Sequence, residues 1–505
     1  MRRYAAALLA LSASCGPLHE LKLPSEGGAS WTEYTSDHFR LQTDMRDAQA
    51  RATLKDVEER RSGLVRAAFH GVDAPSQRTR MVTLRDANEL AAFLPGFILG
   101  YFVLDAFGEK FVLLARASPD DMRVFTHEMT HDLSSHYFAR QPNWLAEGMA
   151  NFLETLQIDR EQNKVVLGTP WIDRFYDPHI DFQLRTPITI PQLFAREQKG
   201  LPPSYDTSWA LVFYLANNEG KAFNEYQRAL FRGEDPDAAW KASFPAYADE
   251  EGLRKLDTRV NAALKELLDT ERYKTASVPY FEYAGTIEKR PMAEPEIRAL
   301  RAELLVNSPH YQSEHSSIEQ RATADAREAL RQNPAETRAA SVLIELAEDQ
   351  ERRLALAHSA TIAAPDDFRA WLLADTALDD DAGTPEQESA RVFALERAVA
   401  LAPENPWALQ RLARAYANQG KGAEALPLVR KSLDIFPDSA PALDTFALVA
   451  SVQGSCPAAR ELERMAVARL PHEAPKKDAP RTAFEKRTAR MRARLATYEK
   501  SCPGS

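Results

Sequence analysis

The 505-residue chain has little cysteine and no excess of basic residues, and both absences exclude kinds of function. Its three cysteines, Cys15, Cys456 and Cys502, never form a Cys-x-x-Cys pair, so the sequence offers no cysteine-based zinc site. A formal net charge of −10 leaves no basic footprint, and we expect no nucleic acid partner. Hydrophobic residues at 44% and charged residues at 27% are typical of a globular protein with a buried core.

Beyond its first residues, the chain also lacks a long uninterrupted apolar run. The most apolar segment, 96–116, is broken by charged residues such as Asp105 and Lys110, so it cannot form a transmembrane helix. We predict instead two strands, 97–104 and 110–116, joined by a turn. Such a hairpin is either buried in the core or offers a sheet edge to an extended peptide.

Residues 1–15 have the layout of an export signal, because an arginine pair precedes a short apolar stretch. The stretch ends in Leu-Ser-Ala-Ser-Cys, which resembles a bacterial lipobox with Cys15 as the lipidated residue, although Leu11 lies one place too far upstream. The resemblance implies an exported lipoprotein of the bacterial cell envelope, facing the periplasm or the cell surface. Cys15 would then be its only membrane attachment. The other interpretation is an ordinary signal peptide.

Export changes what the remaining cysteines imply. In an oxidising compartment Cys456 and Cys502 form an even pair, and we expect a disulfide that ties the C-terminal helix to the helices before it. Two unpaired thiols are the alternative. Residues 16–29 contain glycine, proline and serine and are predicted to be a linker.

The motif that carries chemistry runs from His127 to Glu147. His127, Glu128 and His131 form H-E-x-x-H in a helical pattern, and residues four apart share a helix face, so both imidazoles can reach one metal ion. A second helical pattern begins at Trp144 and offers Glu147. Two imidazoles, a carboxylate and an open position form the ligand set of a hydrolytic zinc site.

H-E-x-x-H followed by W-L-x-E-G-x-A resembles the gluzincin zinc metallopeptidases, particularly their peptidase MA-like bacterial domains. The resemblance implies one Zn²⁺ held by the two histidines and Glu147, with Glu128 as the general base in the hydrolysis of a peptide or protein substrate. It also implies an α+β zincin-like metallopeptidase domain. We place its N-terminal α+β part at 30–120 and its helical zinc-site part at 121–275.

Further residues could complete such a site. Tyr205 opens a helical pattern at a separation from Glu147 that resembles that of the catalytic tyrosine in aminopeptidase-type gluzincins. It is therefore predicted to be catalytic, the alternative being a tyrosine packed at a helix start. Asn151 or Glu154 could accept a hydrogen bond from a ligating imidazole. His136 lies off the ligand face and is expected to be a surface or outer-shell residue.

The last third of the sequence is rich in Ala, Leu, Glu and Arg, and its prolines and glycines recur every 34 residues. Pro403, Pro437 and Pro471 show this interval, as do Gly420 and Gly454. The period resembles that of tetratricopeptide (TPR) repeats and implies an all-α solenoid of about four helix pairs that binds a protein partner. The boundaries that we predict are a connector at 276–315, the repeats at 316–472 and a capping helix at 473–505.

The whole sequence thus predicts a zinc metallopeptidase whose TPR repeats recruit a substrate or partner. Two other interpretations stay open. The first is a binding lipoprotein in which a gluzincin-like domain has lost turnover. The second is a zinc hydrolase that acts on a non-peptide amide.

Overall fold

Short strands rich in β-branched and aromatic residues build a six-stranded sheet in the N-terminal half. The structure is a computed structural model that describes residues 21–69, 77–94, 100–115, 119–138, 141–170, 188–198, 203–270, 272–308, 315–378, 384–437, 439–470 and 481–501. The strands of this sheet are β1 (Thr32–Thr35), β2 (Phe39–Thr43), β3 (Thr79–Thr83), β4 (Gly100–Leu104), β5 (Lys110–Leu114) and β9 (Glu288–Pro291). Their order is β4-β5-β3-β2-β1-β9, in which β3 runs parallel to β2 and β5 and the other pairs are antiparallel.

Both faces of this sheet are covered, which explains why β3 and β5 are buried at every position. Successive side chains of a strand point to opposite faces. Met81 and Val112 therefore join a core that includes helix α1 (Asp47–Ala68), whereas Val82 and Leu113 join a second core with helix α10 (Glu294–Val306). The predicted hairpin is formed by β4 and β5, with β5 in the core and β4 as the outermost strand.

The middle of the chain is mainly helical. Its helices are α2 (Ala87–Ala91), α3 (Pro119–Tyr137), α4 (Asn143–Leu153), α5 (Ile190–Gln198), α6 (Tyr205–Asn218), α7 (Gly220–Phe231), α8 (Pro236–Ser243) and α9 (Glu250–Thr270). A three-stranded sheet adds β6 (Gln157–Asp159), β7 (Lys164–Leu167) and β8 (Ala276–Pro279). Helices α4 and α6 cross at Gly148, where an added Cβ would meet the Ser208 carbonyl oxygen at 2.5 Å, so only glycine permits this approach.

The expected connector at 276–315 is instead part of the fold. β8 pairs with β7, and β9 pairs with β1 at the edge of the larger sheet. Helix α10 then packs against the first repeat helix, α11 (His315–Gln332). These two strands could not be predicted from the sequence. Each has four mostly exposed residues and is held by backbone hydrogen bonds, so neither shows the alternation of apolar residues that marks a strand.

The C-terminal half is a solenoid of helix pairs, which we call the array (α10–α20). Its later helices are α12 (Thr337–Glu345), α13 (Gln350–Ala363), α14 (Phe368–Thr376), α15 (Pro385–Leu401), α16 (Pro406–Asn418), α17 (Gly422–Ile435), α18 (Ala440–Val452), α19 (Cys456–Arg469) and α20 (Arg481–Ser501). Five pairs precede α20 in the described chain, one more than predicted, because α10 and α11 form a pair of their own. Gly420 and Gly454 both have positive φ, 75° and 76°, which explains their 34-residue interval.

The predicted small sheet and helical solenoid are therefore both present. Within the parts of the chain that the structure describes, no helix has the length and apolarity needed to cross a bilayer. Residues 1–20, including Cys15, lie outside those parts. Cys456 is disulfide-bonded, and its expected partner Cys502 also lies outside them.

The turn between β4 and β5 packs against the array and links it to the N-terminal half. Arg338 of α12 donates to Asp105 at 2.8 Å, and Arg369 of α14 donates to Glu109 at 2.7 Å. Phe107, at the tip of this turn, is buried in a core formed by array helices. The first helices of successive pairs supply these contacts, so the chain itself covers part of this side of the array.

Candidate metal centre

Helix α3 holds its two histidines in place by burying the opposite face. Phe125, Met129 and Leu133 of α3 lie in the main core, which leaves His127 and His131 half-buried on the other side of the helix. The histidines are four residues apart and therefore lie one above the other. The H-E-x-x-H segment thus presents both rings on one surface.

Helix α4 is anchored by an aromatic cluster that involves Trp144, the first residue of the W-L-x-E-G motif. The Trp144 ring lies 5.7 Å from Phe194 and 6.1 Å from Tyr226 in stacked geometry, and 5.7 Å from Trp240 edge to face. Aromatic pairs at these separations add to the stabilisation that burial alone gives. Trp144 therefore fixes the helix that carries Glu147, one turn further on.

The two helices bring three candidate ligand atoms together. His127 Nε2 lies 3.2 Å from His131 Nε2, and Glu147 Oε2 lies 3.6 Å and 3.5 Å from these two nitrogens. Ligands at about 2.1 Å from a tetrahedral ion are separated from each other by about 3.4 Å. Glu147 Oε2 is buried and has no hydrogen-bond partner among the described residues, which is what an atom reserved for a metal ion requires. These residues fit a metal ion.

Charge attraction holds the three side chains of the cluster together. Burial opposes protonation of His127, but the carboxylates of Glu147 and Glu154 outweigh it and raise the pKa of the imidazole to about 10. The histidines in turn hold the pKa of Glu147 well below its usual range, despite its burial.

Of the two outer-shell candidates, the structure places Glu154 next to the cluster. Its Oε2 lies 2.9 Å from His127 Nδ1, the ring nitrogen that faces away from Glu147. The amide of Asn151 donates instead to the carbonyl oxygen of Glu147, four residues earlier in α4. A carboxylate behind an imidazole fixes its orientation and tautomer and increases its basicity, which strengthens it as a metal ligand.

A further contact at the cluster was not predicted. Lys110, buried at the start of β5, lies 2.5 Å from Asp132, the residue that follows His131. This ion pair links α3 to the hairpin whose turn contacts the array. The sequence signal for this ion pair was the lysine inside the otherwise apolar segment 96–116, because a buried lysine needs an oppositely charged partner.

The remaining predicted residues lie on the same helices or begin a neighbouring one. Glu128 is half-buried next to His127 on α3. Tyr205 is the first residue of α6 and is half-buried. His136 is not part of the metal cluster found among the described residues, and it is half-buried rather than exposed. Burial, and next the charge of Lys110, lower its pKa.

A comparison with known protein families gives a match, and it lies within the array. Residues 392–451, from α15 to α18, match the tetratricopeptide repeat family. This stretch consists of TPR repeats. The prediction of such repeats from the 34-residue interval is confirmed there. Among curated proteins, no match to the chain is found.

Several solved structures are similar to part of the chain. A thermophilic TPR protein of Thermus thermophilus is 18% identical, with 39% of this chain and 99% of that chain covered, at a TM-score of 0.28. YrrB, a TPR protein with an unusual peptide-binding site, is 18% identical over 38% of this chain and 90% of its own, at 0.27. PilW, a type IV pilus biogenesis factor, is 18% identical over 41% and 91%, at 0.28. TM-scores below 0.5 do not establish a common overall fold.

Proposed function

We propose that the chain is a zinc metallopeptidase of the gluzincin type, in which His127, His131 and Glu147 hold one Zn²⁺ ion. The observation that carries this proposal is the convergence of the three ligand atoms at tetrahedral spacings. The Glu154 carboxylate behind His127 supports it further. Three protein ligands leave one position open, as hydrolytic zinc sites require, whereas structural sites are closed by four.

In the proposed reaction, the zinc ion and the protein side chains have separate roles. When bound, zinc supplies a Lewis acid that polarises a carbonyl group and lowers the pKa of water towards about 7. The Glu128 carboxylate, next to His127, is proposed to take a proton from the attacking water and return it to the leaving amine. Glu154 keeps His127 in the orientation that this arrangement needs.

Tyr205 is proposed to donate its hydroxyl hydrogen to the oxyanion that forms on the scissile carbonyl. The support is its place in the fold, since the first turn of α6 is held against α4 where Gly148 meets Ser208. Helix α4 carries Glu147, so this contact fixes the start of α6 relative to a metal ligand.

The substrate is proposed to bind as an extended peptide along β4. This strand is outermost in the sheet and pairs with β5 along one side. Backbone groups on its other side can pair with an added strand. The array is proposed to recruit a substrate or partner protein, as TPR repeats commonly do.

We also propose export and lipidation at Cys15. The disulfide at Cys456 supports export, because disulfides persist in oxidising compartments. Fatty-acid labelling of cells that produce the intact protein or the Cys15→Ser variant tests lipidation. We expect label only in the intact protein, and label in both would contradict it.

A second candidate function is a binding scaffold whose metal site has no turnover. It is favoured by the comparison with known families, in which the match lies in the array alone. The intact set of three ligands and Glu128 favours the peptidase. The two candidates differ in one measurable property, which is hydrolysis.

The test uses the intact protein and the Glu128→Gln variant. Bound zinc is measured by mass spectrometry, and hydrolysis is measured on a peptide library. We expect about one zinc ion in both proteins, and a rate reduced about 10²–10⁴-fold in the variant, because only the general base is removed. Lack of zinc in the intact protein would refute the metal site. Zinc without hydrolysis would favour the scaffold, and equal rates would refute the role of Glu128.

A further inference from the structure

The turn between β4 and β5 is held by the array at several positions. Arg338 and Arg369 both donate hydrogen bonds to the Glu109 carboxylate. The carbonyl oxygen of Phe107, at the tip of the turn, accepts a hydrogen bond at 2.8 Å from Asn405, which caps α16. Residues of three successive helix pairs therefore fix the position of the turn relative to the array.

The turn is also closed by its own hydrogen bonds. Asp105 Oδ1 accepts from the backbone N–H groups of Phe107 and Glu109, both at 2.9 Å. Gly108 has φ 72° and lies so close to Trp407 of α16 that an added Cβ would be 2.4 Å from the ring, so only glycine fits there. A turn that is fixed in its backbone and its side chains also fixes where β5 begins.

Strand β5 begins with Lys110, which links the turn to the metal centre. Its buried ammonium group lies 2.5 Å from the Asp132 carboxylate of α3. A buried ammonium group is costly without a close counter-charge, so the two side chains resist separation. Asp132 directly follows His131 in α3, so the same ion pair fixes the turn of the helix that presents this candidate ligand.

The array also lies near α3 directly. Burial, and next the charge of Lys110, lower the pKa of His136 on α3, whereas the carboxylates of Asp132 and Asp434 oppose this change. Asp434 belongs to α17 of the array. The array therefore faces α3 both through the turn and at the C-terminal end of that helix.

We propose that Lys110 is a positioning residue of the metal centre, through which the array sets the position of α3 and hence of His131. The path runs from the two arginines of the array through the turn and Lys110 to Asp132. The proposal rests on the metal centre proposed above and makes its metal affinity depend on how the array holds the turn. Because coupling between two binding events is reciprocal, metal binding should also strengthen the contact between turn and array.

The test at the array compares two matched arginine variants of the full chain. Arg369→Met removes one of the arginines that donate to Glu109, and Arg338 remains. The control Arg411→Met removes a donor to Asp375, beside which Arg391 remains at 3.4 Å. Both carboxylates keep an arginine neighbour, but only Glu109 belongs to the turn. Competition with a chelator measures zinc affinity, which we expect to fall about threefold in Arg369→Met and to stay within about 1.5-fold in the control.

The test at the ion pair uses Lys110→Met together with Asp132→Asn. This double variant removes the link without leaving a buried charge unpaired, so its stability should exceed that of Lys110→Met alone. Zinc affinity should nevertheless be about tenfold weaker than in the intact chain, because α3 is no longer held in position. The visible spectrum of Co²⁺ bound in place of zinc should change as well, since it reports ligand geometry. A purely structural role for the pair predicts that affinity recovers together with stability.

Combining the changes tests whether they act along one path. Arg369→Met added to the double variant should weaken zinc binding no further, because the link to α3 is already broken. If the losses add, the array acts on the metal centre by another route and Lys110 does not carry the effect.

A measurement on the intact chain needs no variant to fold. Amide hydrogen exchange is compared without metal and with saturating zinc. We expect zinc to slow exchange at the amides of Phe107 and Glu109 by about threefold, since the coupling is reciprocal. The amide of Ala442, which donates to the cap of α18, lies in the array away from the turn and should not change.

Three further outcomes would overturn the proposal while leaving the metal centre in place. These are equal zinc affinities in the intact chain and the variants, an affinity that recovers with stability in the double variant, and exchange at the turn that zinc does not slow. An intact chain that binds no zinc would refute the metal centre itself and the proposal with it. Zinc binding to the intact chain thus separates the two failures.

Discussion

The metal-centre region and the array are both mostly helical, but they are stabilised in different ways. Around the metal centre, large rings such as Trp144 and Trp240 pack into one core that also contains α3 and α4. In the array, alanines at the helix crossings and arginine–aspartate pairs between neighbouring helices make many similar contacts. The stability of the metal-centre region depends on a few large side chains, whereas the stability of the array depends on many similar contacts that repeat from pair to pair.

This difference indicates where each region tolerates change. A metal site needs its ligands within a few tenths of an ångström, so it requires a rigid core whose parts cannot move separately. A solenoid gains stability from each neighbouring pair, so a local loss stays local. The predictions below test this contrast, beginning with the largest effect.

The largest effect is expected from Trp144→Ala. Removing the ring empties the centre of the aromatic cluster, and we expect the free energy of unfolding to fall by about 3–5 kcal/mol. Chemical denaturation measures it. The control is Phe393→Ala in the array, whose ring is 56% exposed and should cost less than about 0.5 kcal/mol. Similar losses in the two variants would contradict the contrast between the regions.

A second test concerns Glu154→Gln, which keeps shape but removes the charge behind His127. Metal affinity should weaken about 10–100-fold with little change in stability, because outer-shell partners tune the ligand. Competition with a zinc chelator measures the affinity. The exposed Glu161→Gln serves as control and should bind as the intact chain does. An unchanged metal affinity in Glu154→Gln would show that Glu154 does not support metal binding.

The array offers a matched pair of helix caps. Asn405 caps α16 and also donates to Phe107, whereas Ser439 caps α18 without touching the turn. Each change to alanine should cost about 1 kcal/mol as a cap. Asn405→Ala should cost about 1 kcal/mol more, because a hydrogen bond to the turn is lost too. Equal melting temperatures for the two variants would show that the hydrogen bond from Asn405 to Phe107 adds no stability.

The last test concerns pH. Burial, and next the charge of Asp444, raise the pKa of Glu463 to about 9 from a usual 4.5. Between these values the folded chain keeps a proton that the unfolded chain releases, so stability falls as pH rises. Glu463→Gln should therefore gain melting temperature relative to the intact chain from pH 5 to pH 8.5. The exposed Glu461→Gln should show no such trend, and a flat difference for Glu463→Gln would refute the assignment.

The sequence predicted the parts of the molecule that have a period or a motif. The helix pairs followed from the spacing of prolines and of Gly420 and Gly454. The shared face of His127 and His131 followed from their four-residue spacing on α3, and Glu147 followed from the motif that begins at Trp144. It did not show β8 and β9, because their pairing is made by backbone groups alone. It also did not choose between Asn151 and Glu154, since both follow Glu147 at helical intervals and only the crossing of α3 and α4 decides. The Arg338 and Arg369 contacts depend on distant residues that meet only in the fold.

The position of β9 has a consequence for the order in which the molecule is made. Thr32 of β1 pairs with Pro291 of β9, so β1 waits for a partner that leaves the ribosome much later. Until then, β1 is an open strand edge, the kind that aggregates. The metal-centre region and the start of the array must therefore mature together. Shortened genes that end before residue 291 should yield insoluble protein, and those that continue through α10 should yield soluble protein.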